Sequence, residues 1–338
     1  MNGKSIYAIA RQTGVSPATV SRVLNNNPHV APATRNTVLA AIRDSGFVPS
    51  IGKSEFENVG VFIGSYGTNR YSIEMSPYCS EVISGLSAVF CKYEYTLSLF
   101  PLSSVPRKKD EFKLFCFKRH IGMAVFLNIT TNDRFIGEFA DILPVVCIGT
   151  DLNLPGIVSV RADNRLVTEE SVDYLYSLGH RSFSILNVTA DVQDHIERCD
   201  AIRHALGKHG ITIPDSNIME THSNYDGFPI LLKKLIDSGV TAFFSFDNQF
   251  AIRTLRLLHE MNIRIPDDVS LIGFDDYYFA QFCEPPLTVI RQPIYELGEF
   301  AGNLLFSMLN NNPIENVLPS KPQLILRAST GSPSGKSK

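Results

Sequence analysis

Seven short apolar runs constrain this chain more than any other feature: NVGVFIG (58–64), YTLSLF (95–100), IGMAVFLN (121–128), LPVVCIG (143–149), SFSILNV (182–188), AFFSF (242–246) and VSLIGFD (269–275). Each has five to eight residues, the length of a strand rather than a helix. Runs apolar on both faces belong to parallel strands that helices cover on either side. Helical stretches lie between them, at 78–92, 164–178, 196–209 and 248–261. Strands and helices alternating in this way predict doubly wound parallel sheets. The runs fall into two groups, before and after about residue 160, which predicts two lobes.

Residues 1–50 follow a different, purely helical pattern. Ser5 is placed to cap a first helix with an apolar stripe of Ile6, Ile9 and Ala10. Gly14 supplies a turn, and Val15 can plug the angle between helices. Ser16 caps a second helix with Pro17 in its first turn, where a missing N–H is harmless. Val20, Val23 and Leu24 face inward and leave Pro17, Ala18, Thr19, Ser21, Arg22 and Asn25 on another surface. A third helix begins near Pro32, buries Val38, Ala41 and Ile42, and ends at Gly46. Two helices around a short glycine turn fit a helix-turn-helix, although periodicity alone also allows a generic small bundle. Charge favours a polyanion partner for this end. Residues 1–53 carry six basic side chains against Asp44 alone, a net +5, so the rest of a chain of net charge -3 carries -8.

The string IYAIARQTGVSPATVSRVLNNNPHVAPATRNTVLAAIRDSGFVP (6–49) resembles the DNA-binding headpiece of the LacI/GalR family, and GVSPATVSRVLN is its most specific part. The resemblance implies that Arg22, Pro17 and Ala18 read base edges of a double-stranded, palindromic operator. Arginine suits guanine, and apolar surface suits a thymine methyl. It likewise implies phosphate contacts from Ser16, Thr19, Ser21, Asn25, His29 and Thr34, which set register without reading sequence. A solvated loop histidine is the alternative for His29. The hinge expected at 50–58, SIGKSEFEN, is shorter than the family's and carries Gly52. Phe56 or Ile51 could serve as the family's apolar minor-groove wedge, and a plain linker is the alternative.

The body, 59–330, resembles the family's effector domain, with the fold of periplasmic sugar-binding proteins. The matching segments include RADN (161–164), YLYSLGHRSFSILN (174–187), IPDDVSLIGFDD (265–276), PPLTVIRQP (285–293) and LILRAST (324–330). The resemblance implies three crossings between the lobes, near 160–163, 288–292 and 319–323. Lobe 1 would then hold about 59–160 and 292–320, and lobe 2 about 163–288 and 323–330. It also implies a ligand in the cleft between them. Asp275 matches the family's ligand-binding carboxylate, Tyr78 its stacking aromatic and Arg198 the arginine heading the helix over the cleft. Phe246 stands where the family has asparagine, and Gly149 where it has aspartate. The chemistry suggests a sugar or sugar derivative that is bulkier or less polar than a free monosaccharide.

The rival classes are a cytoplasmic sugar-binding protein and a sugar-modifying enzyme. Neither a P-loop nor a complete dinucleotide fingerprint occurs, and His195, His204 and His209 read as solvated helix residues. Neither cofactor nor metal is expected. The six cysteines are scattered, no apolar run has bilayer length, and no signal peptide opens the sequence. A reducing cytoplasm, at the nucleoid, is the expected location. A homodimer is expected because a palindrome mirrors a two-fold protein. Its interface is expected on Val82, Ile83, Leu86, Val89 and Phe90, and the tail 331–338 is expected to be disordered.

Overall fold

A computed structural model of the chain describes residues 5–24, 27, 29–45, 56–65, 76–189, 191–220, 226–313 and 321–334. The headpiece forms α1 (Ile6–Thr13), α2 (Pro17–Leu24) and α3 (Pro32–Ser45). Each start and stop has its local cause. The Ser5 hydroxyl accepts the Ala8 N–H at 3.1 Å, and Gly14 ends α1 at φ 69°, a left-handed conformation that costs glycine nothing. The Ser16 hydroxyl accepts the Thr19 N–H at 3.1 Å. Ile9, Val20, Val38 and Ile42 are buried at the centre, as the periodicity predicts.

Lobe 1 contains β1 (Asn58–Ile63), α4 (Pro77–Phe90), β2 (Thr96–Pro101), α5 (Lys109–Lys118), β3 (Ile121–Leu127), β4 (Val145–Ile148) and β5 (Ile157–Val160). Its sheet is parallel throughout, in the order β2-β1-β3-β4-β5. The chain then crosses into lobe 2, with α6 (Arg165–Ser177), β6 (Phe183–Val188), α7 (Gln193–Lys208), β7 (Ile218–Glu220), α8 (Phe228–Asp237), β8 (Ala242–Ser245), α9 (Asn248–Glu260), β9 (Ser270–Phe274) and β10 (Thr288–Arg291). It returns as α10 (Ile294–Leu309), which packs on α4, and ends with β11 (Gln323–Ile325) at the far edge of the second sheet. That sheet runs β11-β10-β9-β8-β6-β7, and only the β10–β11 pair is antiparallel.

Both sheets are buried on both faces, and the period-2 alternation of a strand divides each one between two cores. Met123, Val125 and Leu127 of β3 meet α4 and α10, whereas Ala124 and Phe126 meet Phe112 and Cys116 of α5. The pairing of α4 with α10 depends on glycine. A Cβ at Gly85 would lie 2.1 Å from the Tyr295 carbonyl oxygen, and one at Gly298 2.2 Å from that of Val82. The backbones therefore approach closer than any side chain allows.

Four expectations need correction. Because Thr288–Arg291 is a strand of the second sheet, the second crossing follows Arg291 rather than beginning at 288. The proposed dimer face on α4 is already occupied: Val82, Leu86, Val89 and Phe90 are buried within the chain, packed against sheet and α10, and only Ile83 is half-exposed. Phe56 is not a free wedge. It is 6% exposed, its ring edge-on to Phe117 at 5.7 Å and to His120 at 5.1 Å, in one apolar cluster with the headpiece core. Ile51 and Gly52 lie outside the described residues. Finally, the tail is bonded through Ser334: Gly331 accepts from or donates to His180 and Ser270, and the Ser334 hydroxyl donates to the Asp267 carbonyl at 2.7 Å.

Candidate DNA-reading surface and effector cleft

On α2 the inward positions Val20, Val23 and Leu24 are buried, so the intervening residues are turned outward by the 3.6-residue period. Ser16, Pro17, Ala18, Arg22 and His29 are exposed, and Thr19, Ser21 and Thr34 are half-exposed. Arg22 has no ion pair among the described residues, which leaves its fork available. Two of the polar groups are partly committed: the Ser16 and Thr19 hydroxyls lie 2.9 Å apart, and that of Ser16 caps the helix. Asn25 lies outside the described residues.

The cleft is built where strand ends and helix starts of the two lobes meet, at the carboxyl edge of both sheets. From lobe 1 comes Tyr78, held at the start of α4 by the Ser76 cap, whose hydroxyl accepts the Cys79 N–H at 3.3 Å. A Cβ at Gly149 would lie 3.2 Å from the Tyr78 hydroxyl oxygen. The tyrosine thus takes the space that a side chain at 149 would need. From lobe 2 comes Asp275, left-handed at φ 66° directly after β9. Gln292 Nε2 donates to its Oδ1 at 2.6 Å and the Tyr277 hydroxyl to its Oδ2 at 2.8 Å. Tyr277 also packs against the lobe 1 core. Glu81 on α4 has its carboxyl pushed up from the usual range, first by burial and then by the charge of Asp275 facing it.

Arg198 and Phe246 are both lobe 2 residues, more deeply set than their sequence suggests. Arg198 is 4% exposed and Phe246 3%. The guanidinium stands 4.1 Å over the Phe274 ring, pairs with Asp194 at 3.6 Å and donates to the Phe246 carbonyl at 3.4 Å. Phe246 is wedged between Phe274 and His195, with centroids 5.3 and 5.4 Å away. It forms the floor of the cleft rather than an open platform for stacking.

Sequence reasoning missed several residues here. His195 is half-buried rather than solvated: burial, assisted by Arg198, holds its pKa down to about 3, and its Nδ1 accepts the Thr189 N–H at 3.0 Å. Asp194 beside it is pushed up to about 6 by burial, against the pull of Arg198 and Arg161. Gln292 and Asn164 are both buried and bonded to each other at 2.8 Å. Their only sequence signal was membership of the RADN and RQP segments. Asp194 Oδ1, Arg198 Nε and Asn248 Oδ1 are buried with no hydrogen-bond partner among the described residues. Such atoms are costly unless something supplies a partner. A cavity of about 620 Å³, lined by Arg161, Glu169, Glu197 and His204, runs along the seam of α6 and α7. Its charges neutralise one another, Arg161 on Glu197 at 2.7 Å and Lys208 on Glu169 at 2.7 Å, so it offers less to a ligand.

No described helix is long and apolar enough to cross a membrane. Residues 5–50 match the family model for bacterial regulatory proteins of the lacI family, and residues 172–330 match the model for a periplasmic-binding-protein-like domain. The chain is 29% identical over 336 residues to the HTH-type transcriptional repressor PurR of Vibrio atlanticus, covering 96% of this chain and 98% of that protein. Its fold is that of the transcriptional regulator CelR in complex with cellobiose, with a TM-score of 0.69, 24% identity and coverage of 96% and 99%. It is equally that of the lac repressor dimer bound to operator and the anti-inducer ONPF, with a TM-score of 0.68, 20% identity and coverage of 97% and 99%. These proteins are regulators and not enzymes, which sets aside the sugar-modifying alternative. A helix-turn-helix headpiece ahead of two parallel-sheet lobes, with both parts matched in order, makes this chain a member of the lacI family of bacterial regulatory proteins.

Proposed function

We propose that this protein is a dimeric repressor, working at the nucleoid, that releases or holds a palindromic operator according to whether a sugar or sugar derivative occupies the cleft between its lobes. The headpiece, residues 1–49, reads DNA with Arg22, Pro17 and Ala18, and steadies itself on phosphates through Ser16, Thr19, Ser21, Asn25, His29 and Thr34. The effector domain begins at Phe56 rather than at residue 59. Tyr78, Asp275, Arg198 and Phe246 line the effector site, together with Asp194, Asn248 and Tyr277.

The observation that carries the ligand reading is the set of buried atoms around Asp275 that have no hydrogen-bond partner among the described residues. Asp194 Oδ1 and Asn248 Oδ1 require donors, while Arg198 Nε requires an acceptor. A hydroxyl is both, and a polyol presents several at once. Carboxylates at Glu81, Asp194 and Asp275 make an anionic ligand unfavourable, and the Phe246 floor favours an apolar face or a second ring. A neutral glycoside or disaccharide fits these demands. Thermal-shift measurements against cellobiose, other neutral glycosides, uronates and nucleosides test this. A neutral glycoside should raise the melting temperature, and Asp275→Ala should remove that rise. A full shift in Asp275→Ala, or a response to uronates alone, overturns the assignment.

A further inference from the structure

Two consecutive carboxylates lie beside the first two connections between the lobes. Asn164, at the end of the first connection, donates from Nδ2 to Gln292 Oε1 at 2.8 Å. Gln292, the first residue of the second connection, donates from Nε2 to Asp275 Oδ1 at 2.6 Å. Its neighbour Arg291 donates through Nε to Asp276 Oδ2 at 3.0 Å. Arg327, two residues beyond β11 in lobe 2, pairs with Asp276 Oδ1 at 2.6 Å. Asn164 and Gln292 are 5% and 6% exposed, and the side chain of Asp276 is likewise 6% exposed, so water does not substitute for these partners.

The side chain of Asn164 stands at the start of α6 yet makes no capping bond to it. Its amide is given to Gln292 instead, and its own Oδ1 is left buried without a partner among the described residues. Asp163 caps the helix in its place, its carboxylate accepting the Arg165 N–H at 3.0 Å, and the Asn164 side chain is committed elsewhere. Both oxygens of Asp275 already hold a donor. Tyr277 belongs to the same loop and moves with Asp275, whereas Gln292 belongs to a connection.

We infer that Gln292 and Asn164 are positioning residues that transmit occupancy of the cleft to the lobe connections, with Asp275 as the shared acceptor. In the ligand-free protein the Asn164–Gln292–Asp275 chain ties the first two connections together. A ligand hydroxyl on Asp275 competes with the Gln292 amide for the same carboxylate, and the connections are then free to adopt a second arrangement. The effector and the connections thereby bias one two-state element from two sides. This rests on the effector reading given above.

The test uses the full-length, ligand-free protein and an operator selected from a random-sequence pool with the wild-type chain. Gln292→Met keeps the length of the side chain and removes both polar ends. It should speed amide exchange at 161–165, on the other connection, roughly three- to tenfold, the effect of losing one hydrogen bond. It should also shift operator affinity about fivefold or more in the direction that ligand does. Asn164→Ala combined with Gln292→Met should add less than about twofold to the single change, because both act through one chain. If Gln292→Met does not fold, Asn164→Ala alone should speed exchange at 291–295. Unchanged exchange on the opposite connection, or fully additive effects, overturns the inference. Failure of the wild-type protein to select any operator would instead overturn the regulator reading, and would leave the exchange result standing.

Discussion

Truncating Phe56 distinguishes an anchor from a wedge. The ring is 6% exposed and meets Phe117 and His120 edge-on at 5.7 and 5.1 Å. Returning a buried phenylalanine to water costs about 1.5–3 kcal/mol, and each aromatic pair adds about 0.5–1.5 kcal/mol. The site cannot collapse to refill the hole, because a Cβ at Gly122 would already lie 2.7 Å from the Phe56 carbonyl oxygen. Phe56→Ala should therefore destabilise lobe 1 by roughly 3–5 kcal/mol. For a unit of this size that corresponds to a melting temperature lower by about 6–20 °C. Calorimetry of the full chain reads the loss, and a gel shift well below the melting range reads operator affinity, which should change by less than about threefold. An unchanged melting temperature together with a large loss of operator affinity would refute the anchor and restore the wedge.

Arg22→Ala should lose about 1–3 kcal/mol of specific operator binding, the worth of one bidentate guanine contact, with an unchanged melting temperature; equal affinity for selected and random DNA in both proteins removes its assigned role. His195 titrates near 6.5 when unfolded and only at about 3 when folded. The unfolded chain therefore binds the extra proton, and stability falls as pH drops below 6.5. Between pH 7.5 and pH 5 the wild type should lose roughly 2 kcal/mol more than His195→Gln in urea unfolding, and parallel pH profiles would show that the imidazole is not buried. Gly298→Ala should destabilise by about 1–3 kcal/mol or more because its Cβ would meet the Val82 carbonyl. Gly207→Ala, near the end of α7 with nothing within 4 Å, should be neutral or stabilising by up to about 1 kcal/mol; equal melting shifts in the two would deny the close approach of α4 and α10.

The apolar runs located the buried strands because a strand covered on both faces has no polar positions to blur it. Four strands escaped that pattern: β5, β7 and β11 are three or four residues long at sheet edges, where half-burial leaves mixed sequence, and β10 is only four residues with polar Thr288 and Arg291 at its ends. On the site side, Asp275 and Tyr78 could be placed by resemblance because each sits at a fixed junction, a strand end and a helix cap. His195 was misread for a different reason. Helical period says which residues share a face, but not that the first turn of α7 abuts Phe246, some fifty residues later. The same limit applies to the apolar face of α4, whose cover is a helix about two hundred residues further on. Gln292 and Asn164 are ordinary polar residues until a fold brings 128 positions of chain separation to a single hydrogen bond.

The burial of Phe56 also decides where this protein could be cut and rejoined. Hybrid regulators exchange headpieces to redirect a sensor to new operators, and the natural junction by domain arithmetic would fall just before β1. A cut there would remove Phe56 from Phe117 and His120 and leave the donor's own residue to fill their pocket. A junction between Ser45 and Phe56 keeps that pocket whole. The seam continues past the junction, since Leu24, Leu39 and Ile42 of the headpiece face Leu114 and Phe117 of α5 across one cavity. A borrowed headpiece must therefore bring apolar side chains at those three positions, or the sensor will be joined to its reader by a tether and by nothing else.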